Sequence, residues 1–555
     1  MGTNRQEFNE TTEFHHREGV MERNRKKTTA QTTAAESQPK VFQLDNNAMG
    51  TINTRENVVC MTVVSRDTNN LKAEYRAGFV QGKLQNSTIL SARDNTWDNA
   101  YLTDPSHAFP AQPNGPSQAE QKTAAELSNS NYSYFLDYLR NKATAPTTAE
   151  RLKRLLFRML GIYHGATLEK PVALDFSGVW LPDQTYFTPA ELQVGYETPL
   201  SFMDVYFLNA FNDLGDVISN APGTGSGGGR ESCSAFLKRS ANEVILTHNS
   251  WMGFLSQSMV QTLAINGDLL TVNAATPGLI ASGTDFGYNN KGILFNETTH
   301  RLSRTVTKAN GLWIFWRAAL AEQFSASIDE FFDAISLDNT GSYLNGYMVV
   351  DAKNNQTGLV EMSYRCFVFY RSNGGKYAVT AKALDGYPCT LDYDKEMVTA
   401  NHLMGINFPA SFQVQSDLQS TDNRPARKKQ FHKKLPGVKD IESAKKLITY
   451  TDPANPLSIF GRWDLAYGET PYPKQVPDGS VDAKAADTVM VRQFMQLQGD
   501  LDLSSTATGF WMRYATPQVN GKPFIWSQSS YSWQTLRDVP DTLDGAYILV
   551  PLYLR

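Results

Sequence analysis

The spacing of apolar residues changes several times along the chain, and each change predicts a change of element. From Val41 to Ser91 the pattern is short and β-rich, as in Val58-Val59-Cys60-Met61-Thr62-Val63-Val64, followed by Ala77-Gly78-Phe79-Val80-Gln81-Gly82. Past Pro146, Leu152, Leu155, Leu156, Met159, Leu160 and Tyr163 recur at helical intervals, with Arg151, Arg154 and Arg158 off that face. Thr147 and Glu150 have the spacing of a capping box for this helix, and Ser201 and Asp204 for a second one burying Val205, Leu208, Phe211 and Leu214. After Cys233 the pattern turns to strands: 243–247, 269–273, 292–295, 347–351, 358–362 and 366–370. Between them, 309–335 reads as one helix with Trp313, Trp316, Leu320 and Phe324 as a core-packing stripe. Residues 1–40 have few apolar positions and no period, and read as a disordered polar tail. Strands, helices and strands again suit an α+β fold of stacked antiparallel sheets covered by helices.

Composition narrows the class. With 41% apolar and 11% aromatic residues the chain can fill a large core, and 52 basic against 56 acidic residues give no argument for nucleic acid. No apolar run approaches the roughly 18 residues needed to cross a bilayer. The chain is expected to be soluble, with at most peripheral membrane contact. The first forty residues also lack the apolar stretch of a signal peptide, which on that basis points to the cytoplasm or to an address already removed. Of the four cysteines, Cys366 and Cys389 have the option of pairing, but in a chain of this size buried free thiols are the expectation.

The candidate chemistry centres on Gly223 to Trp251, GTGSGGGRESCSAFLKRSANEVILTHNSW: a glycine-rich loop, then Cys233, then an apolar run ending at His248 and Asn249. Gly223, Gly225 and Gly228 satisfy GxGxxG, yet they follow a helix and precede a strand, the reverse of the order that dinucleotide binding needs. The loop instead suits a scissile bond. If the chain breaks between Ser232 and Cys233, the cysteine gains a free α-amine, whose ordinary pKa of about 7.7–8.0 lets it act as base for its own thiol. Taken alone, Cys233 would more often be an inert small hydrophobe than a nucleophile, and His248 a satisfied core or surface histidine; the loop-to-strand junction and the pairing with His248 and Asn249 argue the other way. No metal is needed for this chemistry and no HExxH or clustered Cys/His spacing suggests one; no cofactor is expected. The basic run 424–434 reads either as a solvated loop or as a patch that steers phosphate headgroups.

Several runs carry a resemblance. ESCSAF with LTHNSW, TPGLIASGTDF with LFNETT, TGSYLNGYMVVD, GINFP, PARKKQF, GSVDAK and PFIWS resemble, in that order, the signature segments of the phospholipase B-like family, from about residue 45 to the C-terminus. That family belongs to the N-terminal-nucleophile hydrolases, so the resemblance implies a four-layer αββα sandwich and self-cleavage into 1–232 and 233–555, two fragments held non-covalently in one hydrolase domain. It also implies a secreted or lysosomal setting. Carried over by position, it marks Cys233 as nucleophile, His248, Thr298, Asn407 and Arg427 as catalytic partners, and Asn249 and Trp251 as substrate-pocket residues. Asn407 suits an oxyanion donor, Thr298 an orienter of the α-amine, and Arg427 a cation that lowers the thiol pKa. Lys484 and the run Phe524-Ile525-Trp526 resemble structural landmarks. The implied activity is deacylation of phospholipids or lysophospholipids, with an amidase on N-acyl substrates as the alternative and a processed but inactive lipid-binding protein as the third reading; self-association into a homo-oligomer stays open.

Overall fold

The computed structural model describes residues 38–99, 115–219, 232–240, 243–300, 310–384, 386–420, 425–466, 477–497, 508–518, 520–532 and 534–552. The polar tail, up to residue 37, and the glycine-rich loop 220–231 lie outside these.

Two sheets carry most of the described strands. The larger has eleven, in the spatial order 40–45, 48–55, 58–65, 259–265, 269–275, 286–289, 293–299, 345–351, 356–362, 366–372 and 378–383. Every neighbouring pair is antiparallel except one: Val58–Ser65 runs parallel to Met259–Ile265, in register from Val59 opposite Met259 to Ser65 opposite Ile265. The smaller sheet orders 402–405, 232–239, 244–253, 482–487, 508–514 and 548–551, with 478–480 paired to the end of 244–253. The sheets face one another where 232–239 and 244–253 meet 293–299, and Asn296 Nδ2 crosses between them to donate to the Thr247 carbonyl at 2.9 Å. Val244–Gly253, Met259–Ile265, Leu269–Ala275, Ile293–Thr299 and Asn345–Asp351 are buried at every position. Covered on both faces, such strands lose the apolar-polar alternation of a half-exposed sheet, and polar residues such as Thr247, His248, Asn249 and Ser250 are buried along with the apolar ones.

The helices depart from the sequence reading in instructive ways. The β-rich pattern ends at Ser65, and Asn70–Asp98 is a helix of 29 residues containing the Ala77–Gly82 segment. It crosses the helix Pro146–Thr167 at four glycines. A Cβ on Gly78 would stand 2.1 Å from the Arg158 carbonyl, on Gly82 2.1 Å from that of Ile162, on Gly161 2.2 Å from that of Tyr75 and on Gly165 2.0 Å from that of Phe79. Backbone lies against backbone there, which only glycine permits. Two of the three arginines assigned off the apolar face are also inside, Arg151 staying half-buried: Arg158 Nε donates to Glu74 Oε2 at 2.7 Å and Arg154 Nε to Glu74 Oε1 at 2.9 Å, while Arg154 Nη1 reaches Asp268 at 2.8 Å. The Thr147 capping box does not form, because Ala145 is the N-cap and Pro146 takes the first helical position, where its missing N–H costs nothing. The box at Ser201 and Asp204 does form, with Asp204 N–H donating to Ser201 Oγ at 2.9 Å and Ser201 N–H to Asp204 Oδ2 at 2.8 Å. The helix expected over 309–335 is two, Ile314–Phe324 and Ile328–Ile335, separated where Ser327 caps the second. A helix Gln118–Asp137, capped reciprocally by Ser117 and Glu120, was not anticipated. Finally, Cys366 and Cys389 form a disulfide, against the free-thiol expectation; the fold brings their Cα atoms to 6.1 Å.

Candidate active site

Cys233 is the second residue of the strand Ser232–Arg239, opposite Ser250 of Val244–Gly253 in a register that places Ser234 opposite Asn249 and Ala235 opposite His248. Sequence expectation and structure agree that the thiol sits at the start of a buried strand. Its backbone is held on both sides. The Cys233 N–H donates to Asn407 Oδ1 at 2.8 Å, and the Cys233 carbonyl accepts from Arg427 Nη1 at 2.5 Å. Asn407 reaches this point from a left-handed backbone conformation, φ 60°, that asparagine tolerates better than most residues. Its Nδ2 donates to the Thr299 carbonyl at 2.8 Å, so the larger sheet fixes the amide that fixes the cysteine.

Arg427 lies within the helix Pro425–Lys434, which corrects the reading of 424–434 as a loop. Its guanidinium is fully buried; beyond the Cys233 carbonyl it donates to Ser234 Oγ at 3.1 Å, the Ile406 carbonyl at 2.5 Å and Asn407 Oδ1 at 3.0 Å, and stacks over the Trp251 ring at 4.5 Å. Lys428 turns away to pair with Asp394 and Glu396. Trp251 Nε1 donates to Asn249 Oδ1 at 2.8 Å, and that oxygen also accepts from Ser234 N–H at 3.0 Å. Asn249 is anchored in turn through Nδ2 on the Ile448 and Ile459 carbonyls at 2.8 and 2.9 Å. Thr298 packs beside Gly405 and Ala235: a Cβ on Gly405 would meet its Cγ2 at 2.7 Å and the Ala235 Cβ at 3.1 Å.

The thiol end has partners that the sequence did not single out. Cys233 Sγ, a ring nitrogen of His248 and a carboxylate oxygen of Asp285 all lie within 4.8 Å of one another. Asp285 holds this place from a left-handed turn, φ 59°, and its carbonyl accepts from Glu297 N–H at 3.2 Å. Beneath, Lys484 is fully buried and donates to Asp482 Oδ1, Ser250 Oγ and the Thr284 carbonyl at 2.5, 2.8 and 2.6 Å. The motif GSVDAK therefore delivers a cation to the site's floor as well as a strand to the sheet.

Burial above all, then the carboxylates of Asp285 and Glu297, hold the Cys233 thiol well above its usual range. Burial, reinforced by the Lys484 ammonium, holds His248 well below the usual imidazole range. The intact arrangement is thus a neutral thiol beside a neutral imidazole, with the Arg427 guanidinium bound to the Cys233 carbonyl. Burial raises Asp285 to about 6, against the pull of Lys484.

Asp285 also faces a narrow cleft of about 110 Å³ that opens beside the smaller sheet. Apolar walls come from Leu208, Met252, Leu255 and Ile314, and polar ones from Asn99, Gln257, Ser282, Glu322 and Tyr347. Glu322 accepts from Ser282 N–H at 2.9 Å, and burial pushes its carboxyl up to about 8. Asp285 and Glu322 went unnoticed in the sequence, although a lone acid ending the run TPGLIASGTD is a detectable signal.

The sequence profile describing phospholipase B matches residues 187–547, more than half of the chain. The chain belongs to the phospholipase B family. Among individual members it is 26% identical over 336 residues to Phospholipase-B 81 of Drysdalia coronoides, covering 54% of this chain and 59% of that protein. It is 22% identical to Putative phospholipase B-like 2 of Bos taurus, over 62% of each chain. To Phospholipase B-like 1 of Homo sapiens it is 22% identical over 59% of this chain and 64% of the relative. These matches span about three-fifths of the relatives' lengths. Cys233, His248, Trp251, Thr298, Asn407 and Arg427 all fall inside the segment matched to the phospholipase B family.

Proposed function

We propose that this phospholipase B family member is a self-processing cysteine hydrolase that removes acyl groups from phospholipids or lysophospholipids. The observation that carries the reading is the grip on Cys233: Asn407 Oδ1 accepts from its N–H at 2.8 Å while Arg427 holds its carbonyl, so the atoms of a future α-amine are already positioned beside the thiol. In the processing step the Cys233 sulfur attacks the Ser232 carbonyl, the peptide nitrogen leaves as the α-amine carrying the thiol proton, and water hydrolyses the resulting thioester to the Ser232 carboxylate. In turnover the α-amine takes the thiol proton as sulfur attacks the substrate ester. It then returns that proton to the departing alcohol, and water releases the fatty acid. The second N–H of Asn407, not used on Thr299, is a candidate donor to the oxyanion. The facing sheets, with 70–98 against the larger one and 441–448 against the smaller, fit the αββα layering of N-terminal-nucleophile hydrolases, and the two fragments would share that one domain.

Denaturing mass spectrometry with N-terminal sequencing tests the first half. The expected result is two chains, 1–232 and 233–555, the second beginning Cys-Ser-Ala-Phe, and one intact chain for Cys233→Ala. A well-folded chain that stays whole after treatment with a chelator refutes self-processing. Product analysis of the cut protein on a phospholipid beside an N-acyl amino acid then separates lipase from amidase, and release of neither refutes both.

A further inference from the structure

We propose that Cys233 Sγ, His248 and Asp285 form a binding site for a thiophilic divalent cation, Zn²⁺ by ligand type, which occupies the sulfur and holds the chain inactive. One thiol, one imidazole and one carboxylate are a donor set that zinc accepts, at about 2.3 Å to sulfur and 2.0–2.2 Å to nitrogen and oxygen. Tetrahedral ligands at those lengths stand roughly 3.3–3.8 Å apart. The three atoms here already lie within 4.8 Å of one another, so rotation of the side chains closes the set without moving the strands.

A second observation is independent of that spacing. His248 is fully buried, and its ring nitrogens make no hydrogen bond of good geometry, the Glu297 and Thr284 backbones being their near acceptors among the described residues. Buried imidazoles are normally satisfied, and an unsatisfied one directed at a thiol and a carboxylate lacks an electrophile. Electrostatics agree: Asp285 and Glu297 both act on the sulfur, and against them stands the Lys484 ammonium, which is already engaged by Asp482. Two carboxylates repel a bare thiolate but attract a dication. The cleft that reaches Asp285 supplies both an entry path and a water for the fourth position.

Binding is a proton exchange without redox change: the Cys233 S–H bond breaks, an S–Zn bond forms, and the proton passes to water. A sulfur bonded in this way has its negative charge drawn onto the cation and its approach to the Ser232 carbonyl or an ester obstructed by the metal and its other ligands, so it is a much weaker nucleophile. The regulatory half of the inference rests on the cysteine-nucleophile reading, whereas the site itself does not.

The test uses the full chain, stripped with a chelator and titrated with zinc against a chromogenic competitor, and in parallel with Co²⁺. We expect one tight equivalent and a thiolate-to-cobalt charge-transfer band. Cys233→Ser removes that band, and Cys233→Ser, His248→Ala and Asp285→Ala each weaken zinc at least tenfold, while Cys60→Ser, at the other free thiol, changes neither. Circular dichroism melts accompany every variant, and a folded variant is required before its affinity counts. Zinc uptake unchanged in Cys233→Ser, or cobalt binding without the charge-transfer band, overturns the site. Self-cleavage at the same rate with and without saturating zinc overturns the regulation. Zinc bound by the three residues in a chain that does not cut itself even after the metal is stripped instead overturns the self-processing reading and leaves the metal site standing.

Discussion

Replacing Arg427 with alanine tests the reasoning at its most exposed joint. The fully buried guanidinium is the donor to the Cys233 and Ile406 carbonyls, each at 2.5 Å, and its plane lies 4.5 Å over Trp251. Alanine leaves two buried carbonyls without that donor, about 1–3 kcal/mol each, and removes a desolvated cation–π contact of about 0.5–2 kcal/mol. Partial repair by water entering the vacated space brings the expected loss to about 3–5 kcal/mol, a large share of the ~5–15 kcal/mol that holds a typical domain folded. Urea unfolding followed by tryptophan fluorescence reads this as a fall in the midpoint at unchanged slope. Arg427→Lys should recover only part of it, since an ammonium cannot span both carbonyls as a planar fork does. Lys433→Ala, exposed on the same helix, should stay within about 0.5 kcal/mol. A loss below about 1 kcal/mol for Arg427→Ala would show that the guanidinium does not hold the strand of Cys233, and the geometric case for the proposed nucleophile would fall with it.

Other perturbations read other parts of the molecule. Gly161→Ala puts a Cβ 2.2 Å from the Tyr75 carbonyl and should cost about 2–4 kcal/mol, whereas Gly215→Ala, with nothing within 4 Å, should stabilise its helix by about 0.5–1 kcal/mol; paired urea melts decide. Loss of the Cys366–Cys389 bridge, which spans 23 positions, should cost about 3 kcal/mol by the chain-entropy argument, measured as the midpoint shift between oxidised and reduced protein. Because burial raises Glu322 to about 8, the fold favours its protonated form. The stability it contributes is whole below the ordinary carboxylate range and is lost as pH climbs through about 8. Glu322→Gln should flatten that decline, by ~3 kcal/mol at pH 9, and identical profiles for the two proteins from pH 5 to 9 would sink the assignment.

Much of the fold could be read from spacing wherever one face of an element differs from the other. The helices 146–167 and 202–219 show a one-sided apolar stripe, and the strands after Cys233 show as short runs rich in apolar and β-branched residues. Asn70–Asp98 escaped because it is buried nearly all round, by sheet, by glycine-packed helix and by ion pairs such as Glu74 with Arg154, so its sequence has no solvent face to mark the period. The disulfide was an option the sequence could not decide for another reason: 23 positions apart, its cysteines meet only through the fold. At the candidate site, Cys233, Asn249, Trp251, Asn407 and Arg427 come together as one hydrogen-bonded and stacked set. His248 joins them at the thiol, and Asp285 was missed because a single aspartate between strands is ordinary until the turn aims it at sulfur.

The one parallel pair among the described strands, Val58–Ser65 beside Met259–Ile265, sets a timetable for synthesis. On a ribosome the first three strands emerge early, but the partner of the third appears roughly two hundred residues later, a wait of about 10–40 s at ~5–20 residues per second. Throughout that interval Val58-Val59-Cys60-Met61-Thr62-Val63-Val64 presents an apolar edge with free backbone donors and acceptors, the kind of surface that captures a neighbouring chain. The long helices 70–98 and 146–167 are made within the same interval, and 70–98 packs on this strand. They shield its face while leaving its edge open. Expression at low temperature and low chain density should therefore raise the soluble yield far more than any adjustment made after release from the ribosome.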